Sequence, residues 1–169
     1  MTDLTQFGVK DIRDGVRDGS FTAREVAESF NAAVAEAAAL NAFIVTTPDH
    51  AIAAADKVDA ARAAGETLGA MAGVPIGMKD LFATDGVQTT AASHILEGFI
   101  PRYESTVSQK LWDAGAGMLG KLNLDQFAMG SSNETSYFGN VASPWRKSGS
   151  NQPMSPGGSS GGSSSAVAA

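Results

Sequence analysis

Two features of this sequence have the residue types for proton transfer: a lysine that ends an apolar segment, and a serine-rich run far downstream. Lys79 closes the segment Val74-Pro75-Ile76-Gly77-Met78 and is followed by Asp80. A lysine desolvated between apolar walls loses affinity for its proton, so its neutral amine can act as a base toward a nearby hydroxyl. The structural alternative is that Lys79 carries its charge to solvent on its long stem, or pairs with Asp80. The catalytic interpretation therefore requires a serine partner.

The candidate partner lies in the closing run 155–165, which reads Ser-Pro-Gly-Gly-Ser-Ser-Gly-Gly-Ser-Ser-Ser. No lysine follows its glycines as in a nucleotide-binding loop, and the dinucleotide pattern of spaced glycines is absent, so a phosphate cradle is disfavoured. The composition also matches a flexible linker. However, Pro156 leads into the run and the small residues 166–169 continue it as the first turn of a helix, which favours a backbone built to approach a substrate closely.

Three blocks of the sequence, in this order, resemble the amidase signature family. They are GVPIGMKD at 73–80, KLNLDQFAMGSSNE at 121–134 and SPGGSSGGS at 155–163. The three together are far more specific than any one alone, and the resemblance runs over nearly the whole chain. It argues against the linker interpretation of the closing run.

The resemblance implies a role for both candidate residues. Lys79 matches the catalytic lysine of the family, and Ser159 matches its bridging serine, which follows paired glycines and whose peptide bond is cis in the family. In this chemistry a neutral lysine takes a proton from the bridging hydroxyl, which takes one from the nucleophile.

A second segment resembles the part of the family that lines the substrate pocket, where main-chain groups meet the amide. Its residues are Met129, Gly130, Ser131 and Ser132. Without the family, a plain turn explains this segment equally well.

By the same resemblance, the nucleophile is a further serine, about two dozen residues beyond Ser159, that these 169 residues do not include. The backbone donors of the oxyanion hole and the later glutamine-binding residues are expected beyond them too. We therefore expect the amino-terminal part of a single amidase domain, with a mainly helical lead-in at 1–65 and the start of the catalytic core at 66–169. We also expect that this polypeptide alone releases no ammonia from glutamine.

Within the family, the sequence is most similar to the glutaminase subunits of bacterial tRNA-dependent amidotransferases, and the likeness includes the amino-terminal helices. It implies that glutamine is hydrolysed through an acyl-enzyme and that ammonia passes to a B-type subunit. That partner uses ATP and magnesium to activate misacylated Glu-tRNA(Gln) or Asp-tRNA(Asn), and a small C-type subunit completes the heterotrimer. No cofactor is expected in the present chain.

Two other functions remain open. A stand-alone amidase acting on a small carboxamide shares all three blocks, but it would bring down neither a B-type nor a C-type subunit. A non-catalytic assembly fragment would bind its partner with unchanged affinity after Lys79 and Ser159 were replaced by alanine.

Composition limits the remaining classes. The chain has 169 residues, 43% apolar and 18% charged, with a net charge of −6 and a pI near 4.8, so it lacks the basic surface of a nucleic-acid binder. The sequence has no run of 18 or more apolar residues, which predicts a soluble protein, and it has neither cysteines nor a secretion signal at the amino terminus, which predicts a cytoplasmic one. The acidic charge fits a subunit that leaves tRNA to its partner. His50 and His94 have no carboxylate at the spacing of a metal site, so no metal is expected.

The elements that must position these residues alternate as in an α/β layer structure with a mixed central sheet and helices on both sides, as the family implies. The predicted helices are an amphipathic one within 1–20 that Gly19 stops, one opened by the capping box of Thr22 and Glu25, one opened by Thr47 and Pro48 that closes at Gly65, and one between Ser105 and Gly115. The predicted strands are 42–46, an extended segment within 68–80 that ends in the site, and 116–121, with parallel pairing between the last two.

Three details of the sequence depart from the family or are left without chemistry. Ser164 and Ser165 stand where family members commonly have alanine, and residues 147–153 form a polar insert ahead of the glycine run. Asp125 is interpreted as a helix-cap residue with no catalytic role.

Overall fold

The computed structural model describes residues 3–169. Met1 and Thr2, which fall in the predicted first segment and in the amino terminus scanned for a signal, lie outside the described residues. The described part contains five α-helices and three strands. The helices are α1 Val9–Asp18, α2 Ala23–Glu36, α3 Pro48–Ala63, α4 Thr106–Asp113 and α5 Gly161–Ala168; the strands are β1 Phe43–Thr46, β2 Pro75–Lys79 and β3 Gly117–Leu122.

The strands form one mixed sheet in the order β1-β3-β2. β1 runs antiparallel to β3, with Phe43 opposite Leu122 and Thr46 opposite Gly120. Hydrogen bonds from Gly117 N–H to Val74 O and from Asp80 N–H to Leu122 O advance together along β2 and β3, which makes this pair parallel. The expected α/β class, the mixed sheet and the parallel pairing are confirmed.

Helix boundaries follow the local signals. Gly19 ends α1 in the left-handed region at φ 83°, a conformation that costs glycine little. The capping box ahead of α2 is formed, because Thr22 N–H donates to Glu25 Oε2 at 2.7 Å and Glu25 N–H donates to Thr22 Oγ1 at 3.0 Å. Thr47 occupies the cap position before Pro48, but its hydroxyl donates to Met118 O instead of capping α3.

The described chain divides into two compact units. The first comprises residues 3–35, Thr47–Ile76 and Thr106–Leu119. Its helix α3 packs closely on the start of β3, because a Cβ at Gly117 would lie 3.3 Å from Ala51 O and 3.5 Å from Ala54 Cβ. The alanine-rich sequence of α3 therefore allows close packing against the sheet. Among residues 3–169, none of the helices combines the length and the apolar composition that a membrane-spanning segment requires.

The second unit comprises Glu36–Thr46, Gly77–Ser105 and Gly120–Ala169. Helix α5 begins with two glycines, Gly161 and Gly162, which let its first turn pack closely on the neighbouring backbone. A Cβ at Gly162 would lie 2.5 Å from both Ala42 O and Asn123 O. Ser165 is buried and donates from Oγ to Ala142 O at 2.7 Å, whereas Ser164 is exposed. The serine that replaces the common alanine at 165 thus makes a hydrogen bond of its own. The second unit contains all the candidate site residues.

Candidate active site

Lys79 lies at the end of β2, beside the serines that precede α5. Its Nζ is 2.8 Å from Ser159 Oγ and 2.7 Å from Ser160 Oγ. Asp80, the next residue, points elsewhere, so the alternative of a Lys79–Asp80 pair is wrong. A strand alternates its side chains between two faces, which separates these neighbours. The sequence did not indicate that Ser160 also contacts Lys79, because every serine of the run 155–165 carries a hydroxyl that could do so.

Burial lowers the pKa of Lys79, and the charge of Asp125 partly offsets this by raising it. The net effect is a lysine that releases its proton more readily than a free one does. A neutral amine at hydrogen-bond distance from a hydroxyl can take its proton, which is the geometric requirement for a general base. The arrangement at Lys79 can therefore move a proton to or from Ser159.

Ser159 is held by its main chain as well as by Lys79. The Gly158–Ser159 peptide bond is cis, as expected from the resemblance. The carbonyl oxygen of Ser159 accepts a hydrogen bond from Asp125 N–H at 3.0 Å. Ser159 is thus held against the segment that follows β3.

The segment 129–132 passes directly by the predicted bridging serine. A Cβ at Gly158 would lie 2.8 Å from both Ser131 C and Ser132 N, and Ser132 O accepts a hydrogen bond from Ser155 Oγ at 2.6 Å. The side chain of Met129 is 75% exposed. The structure therefore brings Ser131 and Ser132 next to Gly158; that the four residues bind substrate stays a prediction.

Asp125 does more than the sequence suggested. It precedes the short turn Gln126–Ala128, but its side chain makes no hydrogen bond that caps this turn. Asp125 therefore occupies the cap position that the sequence suggested, but its carboxylate does not cap the turn and points toward a different segment. It accepts hydrogen bonds from Asn133 N–H at 3.0 Å and from Thr135 Oγ1 at 2.9 Å.

A buried ion pair joins Asp80, the residue that follows Lys79, to Lys121 of β3. Lys121 and Asp80 are both 0% exposed, and Lys121 Nζ is 3.5 Å from Asp80 Oδ1. Nζ also donates to Phe82 O at 2.7 Å and to Thr89 Oγ1 at 2.6 Å. Asp80 Oδ2 accepts from both the N–H and the hydroxyl of Thr90. These contacts fasten the segment after β2 to β3.

Burial is the largest influence on both members of this pair: it lowers the pKa of Lys121 and raises that of Asp80. The attraction between them works in the opposite direction for each. The sequence suggested Asp80 only as a possible partner of Lys79, and it suggested no role for Lys121. The available signal was a lysine inside an otherwise apolar strand, which requires a buried acceptor or counter-charge.

Gly158 lies so close to Asp125 that a substitution there tests the packing of the site. A Cβ there would lie 2.1 Å from Asp125 Oδ2, a separation that no real Cβ adopts. We expect Gly158→Ala to lower the free energy of unfolding of the full-length protein by about 2–3 kcal/mol, the upper part of the usual range for overpacking, because the backbone must shift to relieve so close an approach. Urea denaturation measures this.

The neighbouring Gly157 provides the control for that variant. It has φ 85°, and a Cβ added to it would meet no atom within 4 Å, so Gly157→Ala meets only the left-handed backbone penalty of about 1 kcal/mol. Equal losses in the two variants would contradict the steric account of Gly158.

No cluster of three or more histidine, cysteine or acidic side chains suited to a metal occurs within residues 3–169. His94 lies instead against Glu97, with Nδ1 2.7 Å from Oε2. His50 stacks at a tilt on Trp112, with ring centroids 5.5 Å apart.

Comparison with known sequences extends the resemblance. A family model described as Amidase matches residues 25–169. The chain is 76% identical over 170 residues to the A subunit of the glutamyl-tRNA(Gln) amidotransferase of Novosphingobium aromaticivorans and 75% identical to that of Sphingopyxis alaskensis. Each match covers 100% of this chain and 34% of the relative. The chain thus spans about one third of the length of these relatives.

Solved structures with the same fold include several different activities. One, described as a vestigial protein complex that reveals the origins of an s-triazine catabolic enzyme, matches with a TM-score of 0.87 and 37% identity over 95% of this chain and 34% of its own. The A subunit of the Thermotoga maritima glutamyl-tRNA(Gln) amidotransferase matches with 0.73 and 29% over 99% and 32%. The peptide amidase of Stenotrophomonas maltophilia matches with 0.82 and 29% over 95% and 34%.

Proposed function

This chain belongs to the amidase family, and from that premise we propose that it is the amino-terminal third of the glutamine-hydrolysing A-type subunit of a tRNA-dependent amidotransferase. Its full-length protein releases ammonia from glutamine and supplies it for the transamidation of misacylated tRNA. The high identity to proteins of that name across all of this chain supports the proposal.

The observation that carries the proposal is the contact of Lys79 Nζ with Ser159 Oγ at 2.8 Å. Neutral Lys79 takes the hydroxyl proton of Ser159, and Ser159 takes the proton of a nucleophilic serine that lies outside these 169 residues. The nucleophile then attacks the glutamine carboxamide, the proton held by Lys79 returns through Ser159 to the departing nitrogen, and ammonia leaves as the acyl-enzyme forms. Ser131 and Ser132 lie where main-chain groups can meet the substrate amide.

The partners follow from the same proposal. A B-type subunit binds the misacylated tRNA and uses ATP with magnesium, and a small C-type subunit joins the two in the cytoplasm. The net charge of −6 is consistent with a chain that does not itself bind the phosphate backbone of tRNA. Neither ATP nor magnesium is assigned to the present chain.

The test uses the full-length protein co-expressed with its B-type and C-type subunits. We expect ammonia release from glutamine, and Gln-tRNA or Asn-tRNA formation that depends on ATP and on misacylated tRNA. A purified full-length protein that copurifies with neither partner and forms no amidated tRNA would overturn its placement in such a complex.

A stand-alone amidase is the second candidate, because the peptide amidase matches this chain with a higher TM-score than the Thermotoga maritima protein does, 0.82 against 0.73. In that case, the full-length protein without partners would hydrolyse a peptide amide or a small carboxamide faster than glutamine.

The third candidate is a non-catalytic assembly fragment, which would bind its partner with unchanged affinity after Lys79 and Ser159 are both replaced by alanine. Loss of partner binding in this double variant would exclude it.

A further inference from the structure

Asp125 is a fully buried carboxylate that the proposed proton transfer does not use. It is 0% exposed and lies shortly after β3. Its oxygens accept hydrogen bonds from Asn133 N–H at 3.0 Å, from Thr135 N–H at 3.4 Å and from Thr135 Oγ1 at 2.9 Å. Burial opposes ionisation, but these hydrogen bonds outweigh it and lower the pKa of Asp125. The carboxylate is therefore a fixed negative charge inside the site.

Two glycines leave room for this carboxylate. A Cβ at Gly130 would lie 2.3 Å from Asp125 Cγ, and one at Gly158 would lie 2.1 Å from Asp125 Oδ2. Gly130 belongs to the predicted substrate segment, and Gly158 precedes the predicted bridging serine. The carboxylate thus packs against the backbone of both functional segments.

The main chain of Asp125 makes the third connection. Its N–H donates to the carbonyl oxygen of Ser159 at 3.0 Å. One residue therefore contacts both residues of the Gly158–Ser159 peptide and also fixes the loop up to Thr135. The contacts on the carboxylate and the contact on the N–H are independent of each other, yet they converge on the same peptide.

We propose that Asp125 is a positioning residue of this active site: it joins the substrate segment to the Gly158–Ser159 peptide and so sets the place of Ser159 relative to Lys79. It contacts no reacting atom itself. The inference rests on the proposed function for its link to catalysis, while the arrangement itself can be tested without any glutamine assay.

The charge of Asp125 gives this role a measurable signature at Lys79. Ser159 and Ser160 contact Lys79 through uncharged hydroxyls, and Asp80 is turned toward Lys121. In the described part of the chain, Asp125 is the acidic group whose charge raises the pKa of Lys79. Removing that charge without changing the side-chain shape must lower the pKa of Lys79 and shift the acidic limb of kcat/KM to lower pH.

The experiment compares Asp125→Asn with the parent in the full-length protein labelled with [ε-¹³C]lysine, in which the Cε shift reports the titration of Lys79. A Lys79→Arg variant identifies the signal by its loss. We expect the Lys79 titration midpoint of Asp125→Asn to move to lower pH. We also expect kcat/KM for glutamine to fall by about tenfold to a hundredfold, because an amide cannot accept from all the donors that face the carboxylate.

Asp85→Asn is the matched control, since Asp85 is an exposed aspartate of the same unit; it should change neither quantity. If Asp125→Asn lowers the melting temperature but leaves the Lys79 midpoint at the parent value, Asp125 is a structural residue only and the proposal is overturned. If the parent hydrolyses no glutamine while the midpoint still moves, the proposed function fails and the positioning role stands.

A second variant decides the matter if Asp125→Asn does not fold. Thr135→Val removes one hydrogen-bond donor from the carboxylate and keeps the charge. We expect kcat/KM to fall by about threefold to tenfold, as for the net loss of one typical hydrogen bond, with the acidic limb unmoved. An unchanged kcat/KM in this variant overturns the proposal.

Discussion

Replacing Lys79 by alanine in the full-length protein is expected to lower kcat for glutamine hydrolysis by about 10²- to 10⁴-fold, the usual cost of losing a positioned proton-transfer group. Lys79 is the basic side chain that contacts Ser159, at 2.8 Å. Without it, the hydroxyl of Ser159 has no base to receive its proton. Steady-state ammonia release at saturating glutamine measures the loss.

Lys79→Arg sharpens this expectation. A guanidinium keeps the positive charge and the hydrogen-bond donors, but it does not lose its proton in proteins. We therefore expect Lys79→Arg to be as inactive as Lys79→Ala. Near-parental activity in the arginine variant would mean that Lys79 acts by its charge and not as a base.

The parental pH dependence follows from the same assignment. Lys79 must be neutral to accept a proton, so activity should rise as pH rises through the pKa of Lys79. Burial, the larger influence, lowers that pKa from its usual value, so the rise is expected at lower pH than for a free lysine. Lys147→Met, at an exposed position of the same unit, should leave rate and profile unchanged.

Replacing Lys121 by methionine is expected to lower the free energy of unfolding by about 3–5 kcal/mol, because it leaves Asp80 as a buried charge without its partner. Both side chains are 0% exposed. The variant also removes the donor to Phe82 O and Thr89 Oγ1, whose contacts hold the segment after β2. Urea denaturation of the full-length protein measures the change.

The double variant Lys121→Met, Asp80→Asn separates charge from packing. Asparagine still offers an oxygen to Thr90, and no uncompensated charge remains. We expect the double variant to unfold at a higher urea concentration than Lys121→Met alone. A double variant as unstable as the sum of its two single variants would show that the two charges do not act as a pair. Lys147→Met again serves as the exposed control.

Local sequence determined most of the secondary structure. Gly19 ends α1, the Thr22 and Glu25 capping box opens α2, and Pro48 opens α3, because each signal acts within one helical turn. The apolar segments before Asp80 and around Met118 form parallel strands as predicted. Thr47 is the exception, since a tertiary contact with Met118 O took its hydroxyl away from the helix.

The predicted pair of Lys79 and Ser159 depended on resemblance as well as on residue type. The apolar segment before Lys79 indicated a desolvated amine, but the run 155–165 contains six serines of equal chemistry. The family pattern singled out Ser159, and the structure places it at hydrogen-bond distance from Lys79, together with Ser160. The division into a lead-in at 1–65 and a core at 66–169 stays a prediction.

The sequence by itself determined most helix limits, the strand segments, the family, and the lysine together with one of the two serines that it contacts. Only the tertiary structure decided that Asp80 faces Lys121 and that Asp125 packs against both Gly130, in the predicted substrate segment, and Gly158. The physical reason is the separation along the chain over which each interaction acts. Helix caps and hydrophobic periodicity involve residues a few positions apart, whereas the partner of a buried charge can come from any segment that the fold packs against it. Asp80 and Lys121 are such partners, far apart in the chain and in contact only once β2 lies beside β3.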